Sequence, residues 1–150
     1  MELLVVEDEP LVRQSVVESL RDAGFEVSDA AHAEAALEIA EAEGPPAVLV
    51  ADVDLGPGSR FDGVALAAVM RRRWPRLGVL HVSGDPDCVV GRLGVRERWL
   101  AKPFSATRLV RAVHDLMPDP ASLVLTGGPG MAVGLDRPPG AGPTAPSGCA

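Results

Sequence analysis

The sequence predicts an α/β domain: a parallel sheet covered on both faces by crossover helices. Short apolar runs alternate with longer segments of helical period from Glu2 to Met117, five pairs in all. Three runs, Leu3 to Val6, Ala47 to Ala51 and Val79 to Val82, are apolar almost throughout, as strands buried on both faces are. A chain of 150 residues with 47% hydrophobic content is long enough to bury one core.

Each element has its own signal. After Leu3 to Val6, the residues Val12, Val16, Leu20 and Ala23 share one helical face, Pro10 suits a first helical turn and Gly24 sits at the C-terminal cap. The second run is Phe25 to Ser28. Ala33 to Glu43, rich in Ala, Glu and Leu, predicts a helix stopped by Gly44-Pro45-Pro46. The third run, Ala47 to Ala51, precedes the loop GPGSRFDG and a helix over Val64 to Arg73 that ends before Trp74-Pro75. Val79 to Val82 leads into DPDCVVGRLGVRER, whose two glycines predict a short or irregular helix. Trp99 to Ala101 is the fifth run, and Ala106 to Leu116 the last helix, ending before Pro118. The first, third and fourth runs are expected at the centre of the sheet.

The boundaries expected are a domain over residues 1–117 and a tail over residues 118–150. The tail holds seven Gly and seven Pro, and its only charged residues are Asp119, Asp136 and Arg137, a composition that predicts disorder.

The acidity therefore belongs to the domain. A net charge of -7 and a pI of about 4.9 argue against a general grip on nucleic acid. Cys88 and Cys149 have neither disulfide-framework nor zinc-ligand spacing. The amino terminus MELLVVEDE lacks a secretory pattern, and no stretch approaches the roughly 18 to 20 apolar residues of a membrane span. The expectation is a cytoplasmic protein with no nucleic-acid or membrane partner.

In a parallel sheet the carboxyl ends of the strands share one edge, where ligands bind. The first run closes on Glu7-Asp8, the third on Asp52, the fourth on Ser83 and the fifth on Lys102. Three clustered carboxylates repel one another unless a cation sits among them, and an oxygen-only donor set suits magnesium. A carboxylate beside magnesium, an ammonium and a hydroxyl is apparatus for phosphoryl transfer, with Asp52 as nucleophile.

These residues make the chain resemble the receiver domains of two-component signalling. The resemblance spans about Met1 to Met117 and rests on VVEDE, LVADVDL, Asp62-Gly63, HVSG and Lys102-Pro103, in that order. It implies a five-stranded, flavodoxin-like, doubly wound sheet of order 2-1-3-4-5 and a stand-alone receiver. It also implies that Asp52 is phosphorylated, that Asp8 binds Mg2+ directly with Glu7 assisting, and that Asp52 and the backbone carbonyl of Asp54 complete the protein's share of the metal shell. Ser83 and Lys102 would hold the phosphoryl oxygens. Ser83 and Trp99 would form the switch, Trp99 being bulkier than the Tyr or Phe usual three residues before the Lys. The implied donor is a sensor histidine kinase or a histidine phosphotransfer protein. The downstream target is not legible, and the chain is expected to be a phosphoacceptor that assists its own phosphorylation and dephosphorylation, not an enzyme.

Two other readings compete. Asp52-Val53-Asp54 also looks like the nucleophile motif of haloacid-dehalogenase-type phosphatases, but those place an acid pair after the Lys, where this chain has none. A receiver-fold scaffold that works without phosphorylation is the other. The bland readings favour a packed, hydrogen-bonded core role for His81 and a solvated helix end for Arg71, Arg72 and Arg73.

Overall fold

The computed structural model describes residues 1–56, 62–84 and 93–118. Its elements are β1 (Leu3–Val6), α1 (Pro10–Asp22), β2 (Val27–Ala30), α2 (Ala33–Glu43), β3 (Val48–Asp52), α3 (Gly63–Arg73), β4 (Gly78–Ser83), β5 (Glu97–Ala101) and α4 (Ala106–Leu116). All strand pairs are parallel, in the order β2-β1-β3-β4-β5. The three apolar runs are the three central strands, as expected, and every residue of β1, β3 and β4 is buried.

Strand alternation assigns each side chain to one of two layers. Leu3, Val5, Val48, Val50, Leu80 and Val82 meet Val16, Val17 and Leu20 of α1 and Leu109, Val113 and Leu116 of α4. Leu4, Val6, Leu49, Ala51 and Val79 meet Ala33, Ala36 and Ala40 of α2 and Leu66, Ala67 and Met70 of α3. The alanine face of α2 lets that helix approach the sheet closely.

Helix ends follow the sequence signals. Glu9 caps α1 with Pro10 in the first turn, and Gly24 at φ 99° turns the chain so that the Phe25 N–H donates to the Leu20 carbonyl. Asp62 and Ser105 cap α3 and α4 through the N–H groups of Ala65 and Arg108.

The second strand is displaced from the expected run, covering Val27–Ala30 in place of Phe25 to Ser28. The register pairs Leu3 with Val27, while Phe25 still closes the turn after α1 and packs beside the α1 and α4 layer. The first strand keeps its expected bounds, and the third, fourth and fifth shift by one or two residues at their ends. The expected tail, from residue 119 on, most of the expected fourth helix and the loop over residues 57–61 lie outside the described residues.

Candidate functional site

The site forms where β1, β3, β4 and β5 end. Asp52 is the last residue of β3, and the chain beyond it is pinned: the Val53 N–H donates to the Val82 carbonyl and the Gly63 N–H to the Val53 carbonyl, both at 3.0 Å. Gly63 has to be glycine, because a Cβ there would run into the backbone carbonyl of Asp52. The Lys102 N–H donates to the Ser83 carbonyl at 2.9 Å, which ties the ends of β4 and β5. The following Lys102-Pro103 peptide bond is cis.

The side chains of Glu7, Asp8, Asp52 and Lys102 come together here. Carboxylate oxygens of Glu7, Asp8 and Asp52 lie within 4.8 Å of one another, with Glu7 and Asp52 buried and Asp8 exposed. Lys102 Nζ donates to Asp52 Oδ2 at 2.7 Å and to Glu7 Oε2 at 3.4 Å. The other Asp52 oxygen, Oδ1, accepts the Asp54 N–H at 3.0 Å. Ser83 closes β4 and is buried at 8% exposure. Trp99 is half-buried on β5, opposite His81 in the register.

The electrostatics follow from this crowding. Burial, then a hydrogen bond and the charge of Asp52, push Glu7 up from 4.5 to about 7, against the opposing pull of Lys102. Burial alone would lower Lys102, but its contacts with Asp52 and Glu7 prevail and raise it. Three carboxylates and one ammonium in a partly buried pocket leave negative charge short of compensation. An all-oxygen donor set with one exposed member fits a hard divalent cation such as Mg2+, which keeps waters of its own. Gly56 matters to this opening: its φ is 73°, and a Cβ would stand 2.6 Å from Asp8 Oδ2.

Three supporting features are not legible in the sequence. Arg13 on α1 donates to the Glu7 carbonyl at 2.9 Å and pairs with Asp29 at 3.0 Å, bracing the β1 end of the site. Arg71 corrects the solvated reading of the basic run, since its guanidinium pairs with Glu97 at 2.9 Å. Of its neighbours, Arg73 pairs with Glu41 and lies over the Trp74 ring. His81, at 2% exposure, points Nε2 at Glu97 Oε2 across 3.5 Å. The basic run and the core place of His81 are visible in the sequence, but their partners stand on distant elements.

Glu97 makes the first prediction. Burial would raise its pKa, yet His81, the Gly94 N–H and Arg71 hold it down at about 2. A carboxylate lowered in the folded state adds stability above its unfolded value of 4.5 and loses it as the pH falls toward 2. Glu97→Gln is therefore expected to lower the melting temperature at pH 7 by about 5 °C or more, roughly 1 kcal/mol. It should also flatten the stability profile between about pH 4.5 and 2, measured by acid titration of the circular-dichroism melt. An unchanged profile would show that Glu97 contributes nothing to acid stability.

Among the described residues no helix is long and apolar enough to cross a membrane. Residues 3–114 match the response regulator receiver domain model. The chain is 31% identical over 112 residues to the nitrogen assimilation regulatory protein NtrX of Azorhizobium caulinodans, covering 73% of this chain and 24% of that protein. It is 33% identical over 115 residues to the transcriptional regulatory protein PdtaR of Mycobacterium tuberculosis, covering 75% of this chain and 54% of that one. The solved receiver domain of NtrX from Brucella abortus superposes with a TM-score of 0.68 at 32% identity, covering 76% of this chain and 96% of that domain. The chain spans about a quarter of the length of the NtrX relatives it matches. With the sheet order, the acid cluster and the Lys at its rim in place, these matches lead to one conclusion: the chain belongs to the response regulator receiver domain family, which serves two-component signalling.

Proposed function

We propose that the chain is a phosphorylation-activated switch in which Asp52 accepts a phosphoryl group from a histidine kinase or a histidine phosphotransfer protein. The single observation that carries this is the 2.7 Å contact of Lys102 Nζ with Asp52 Oδ2 beside the Glu7 and Asp8 carboxylates. In this reading Asp8, Asp52 and the Asp54 carbonyl hold Mg2+, with Glu7 assisting. The cation would supply neutralisation of oxygen charge. The Asp54 N–H on Oδ1 orients the Asp52 carboxylate. Lys102 keeps its proton, because Asp52 and Glu7 favour the charged form, so it offers N–H donors to incoming phosphoryl oxygens. Ser83 supplies a hydroxyl to the same group.

Phosphorylation adds about -1.5 to -2 charges at neutral pH and brings new acceptor oxygens, which draw Ser83 and Lys102 toward the site. Trp99, on the neighbouring strand, moves into the space that Ser83 leaves, and the β5 surface read by a protein partner changes. The chain acts in the cytoplasm as a phosphoacceptor that assists its own phosphorylation and dephosphorylation.

The test is intact-mass measurement after incubation with acetyl phosphate. One labile phosphoryl group is expected with Mg2+ present, and a loss of most of the label with a chelator. Absence of label under both conditions would sink the proposal. The folding unit is proposed to be residues 1–117. Removing residues 121–150 is therefore expected to leave the melting temperature within about 5 °C, a change of roughly 1 kcal/mol, by calorimetry. A larger fall would show that the tail packs on the domain.

A further inference from the structure

Trp99 carries an indole N–H, which can only donate, and His81 carries an imidazole, which in its neutral form donates from one nitrogen and accepts at the other. In the structure Nε1 of Trp99 and Nδ1 of His81 are both buried, and neither meets a hydrogen-bond partner among the described residues. Both arrangements are unfavourable for buried polar atoms.

These two atoms belong to side chains that stand side by side. The register pairs His81 with Trp99 and Val79 with Glu97 across the parallel β4 and β5 ladder. Residues paired in this way project from the same face, on strands about 5 Å apart. Glu97 settles what each His81 nitrogen does. Its carboxylate, held ionised by Arg71 and the Gly94 N–H, faces Nε2 at 3.5 Å. The hydrogen bond made by one ring nitrogen sets the tautomer. In the neutral ring, Nε2 donating toward Glu97 leaves the lone pair on Nδ1.

We propose that His81 Nδ1 is the acceptor for the indole N–H of Trp99 in the phosphorylated state, so that the Arg71, Glu97 and His81 chain positions the Trp switch. In the structure this bond is not made. Ser83 lies two residues beyond His81 on the same face of β4, so a Trp99 side chain turning toward Ser83 passes His81. A Phe at position 99 would need no such acceptor; a Trp does, or its N–H is buried without a partner. His81 is thus a positioning residue for the switch, with no contact to the phosphoryl group. This inference rests on the reading of Asp52 and Ser83 given above.

The test uses the full chain with 15N-labelled tryptophan, Mg2+ and beryllium fluoride as phosphoryl analogue. Binding of the analogue is followed separately by its 19F resonance, and the indole signals are assigned with Trp99→Phe. In the native chain the Trp99 N–H resonance is expected to move downfield on binding, while that of Trp74 stays. His81→Phe is expected to lose the movement and to bind the analogue about 2- to 10-fold more weakly. At about 1.4 kcal/mol per tenfold, that is the net worth of one internal hydrogen bond. His81→Asn, whose side-chain oxygen sits near the Nδ1 position, should restore the movement, whereas His81→Gln, which reaches toward Glu97, should not. The Asn and Gln pair decides the matter if the Phe variant fails to fold. Movement in His81→Phe equal to the native chain, or bound analogue with no movement in the native chain, overturns the proposal. Absence of a bound 19F signal in the native chain would instead refute the Asp52 reading, and the inference with it.

Discussion

Replacing Asp52 with asparagine is expected to reduce acetyl-phosphate labelling to below ~1% of the native chain, because the amide cannot act as the carboxylate nucleophile. The substitution is nearly isosteric, so the effect should be chemical. The amide oxygen of the variant can still accept the Asp54 N–H that Asp52 Oδ1 accepts at 3.0 Å. Lys102 loses its 2.7 Å ion pair but keeps Glu7 at 3.4 Å. Glu7 is in turn relieved of the Asp52 charge that helps hold it at about 7. These changes oppose one another, and the melting temperature should stay within about 5 °C, equivalent to roughly 1 kcal/mol. Intact mass and calorimetry on the same sample separate the two effects. Labelling of the Asp52→Asn variant at the native level would move the acceptor elsewhere, whereas a collapse in stability would make the loss uninformative about chemistry.

Substituting Gly63 with alanine should be costly for a residue that takes part in no chemistry. Within a helix, alanine is ordinarily favoured over glycine by about 1 kcal/mol. Here the added methyl runs into the carbonyl oxygen of Asp52 and crowds the Val53 Cα, both backbone atoms that cannot rotate away. Either α3 moves outward, opening the layer formed by Leu66, Ala67 and Met70, or the chain after β3 shifts. Overpacking of this kind typically costs about 1 to 3 kcal/mol, so the melting temperature is expected to fall by roughly 5 to 15 °C. Shifting Asp52 by as little as about 1 Å can slow a positioned reaction by up to 100-fold, so the labelling rate should fall with stability. A variant as stable and as reactive as the native chain would show that Gly63 is replaceable. The contrast with Asp52→Asn is the informative part: one change removes the nucleophile and spares the fold, and the other spares the nucleophile and strains its seat.

Sequence alone determined most of the architecture. Fully apolar runs identified the buried central strands, because a strand covered on both faces cannot alternate with polar residues. Breakers such as Gly24, Gly44-Pro45-Pro46 and Pro75 bounded the helices, because backbone conformation there is a local property. Glu7, Asp8, Asp52, Ser83 and Lys102 were also legible, since parallel strands deliver their carboxyl ends to one edge whatever the distance between them in the chain. The start of β2 was not, since Phe25 and Glu26 suit a strand in composition but precede the register in which Leu3 pairs with Val27. What only the tertiary structure decided are relations across elements. Arg71 finds Glu97 across 26 positions, Arg13 reaches Asp29, and Gly63 abuts Asp52. His81 comes to stand opposite Trp99, each with one buried nitrogen that meets no partner among the described residues. Such pairings leave no periodic trace, because they depend on strand register and layer distance, which are set only when the whole core closes.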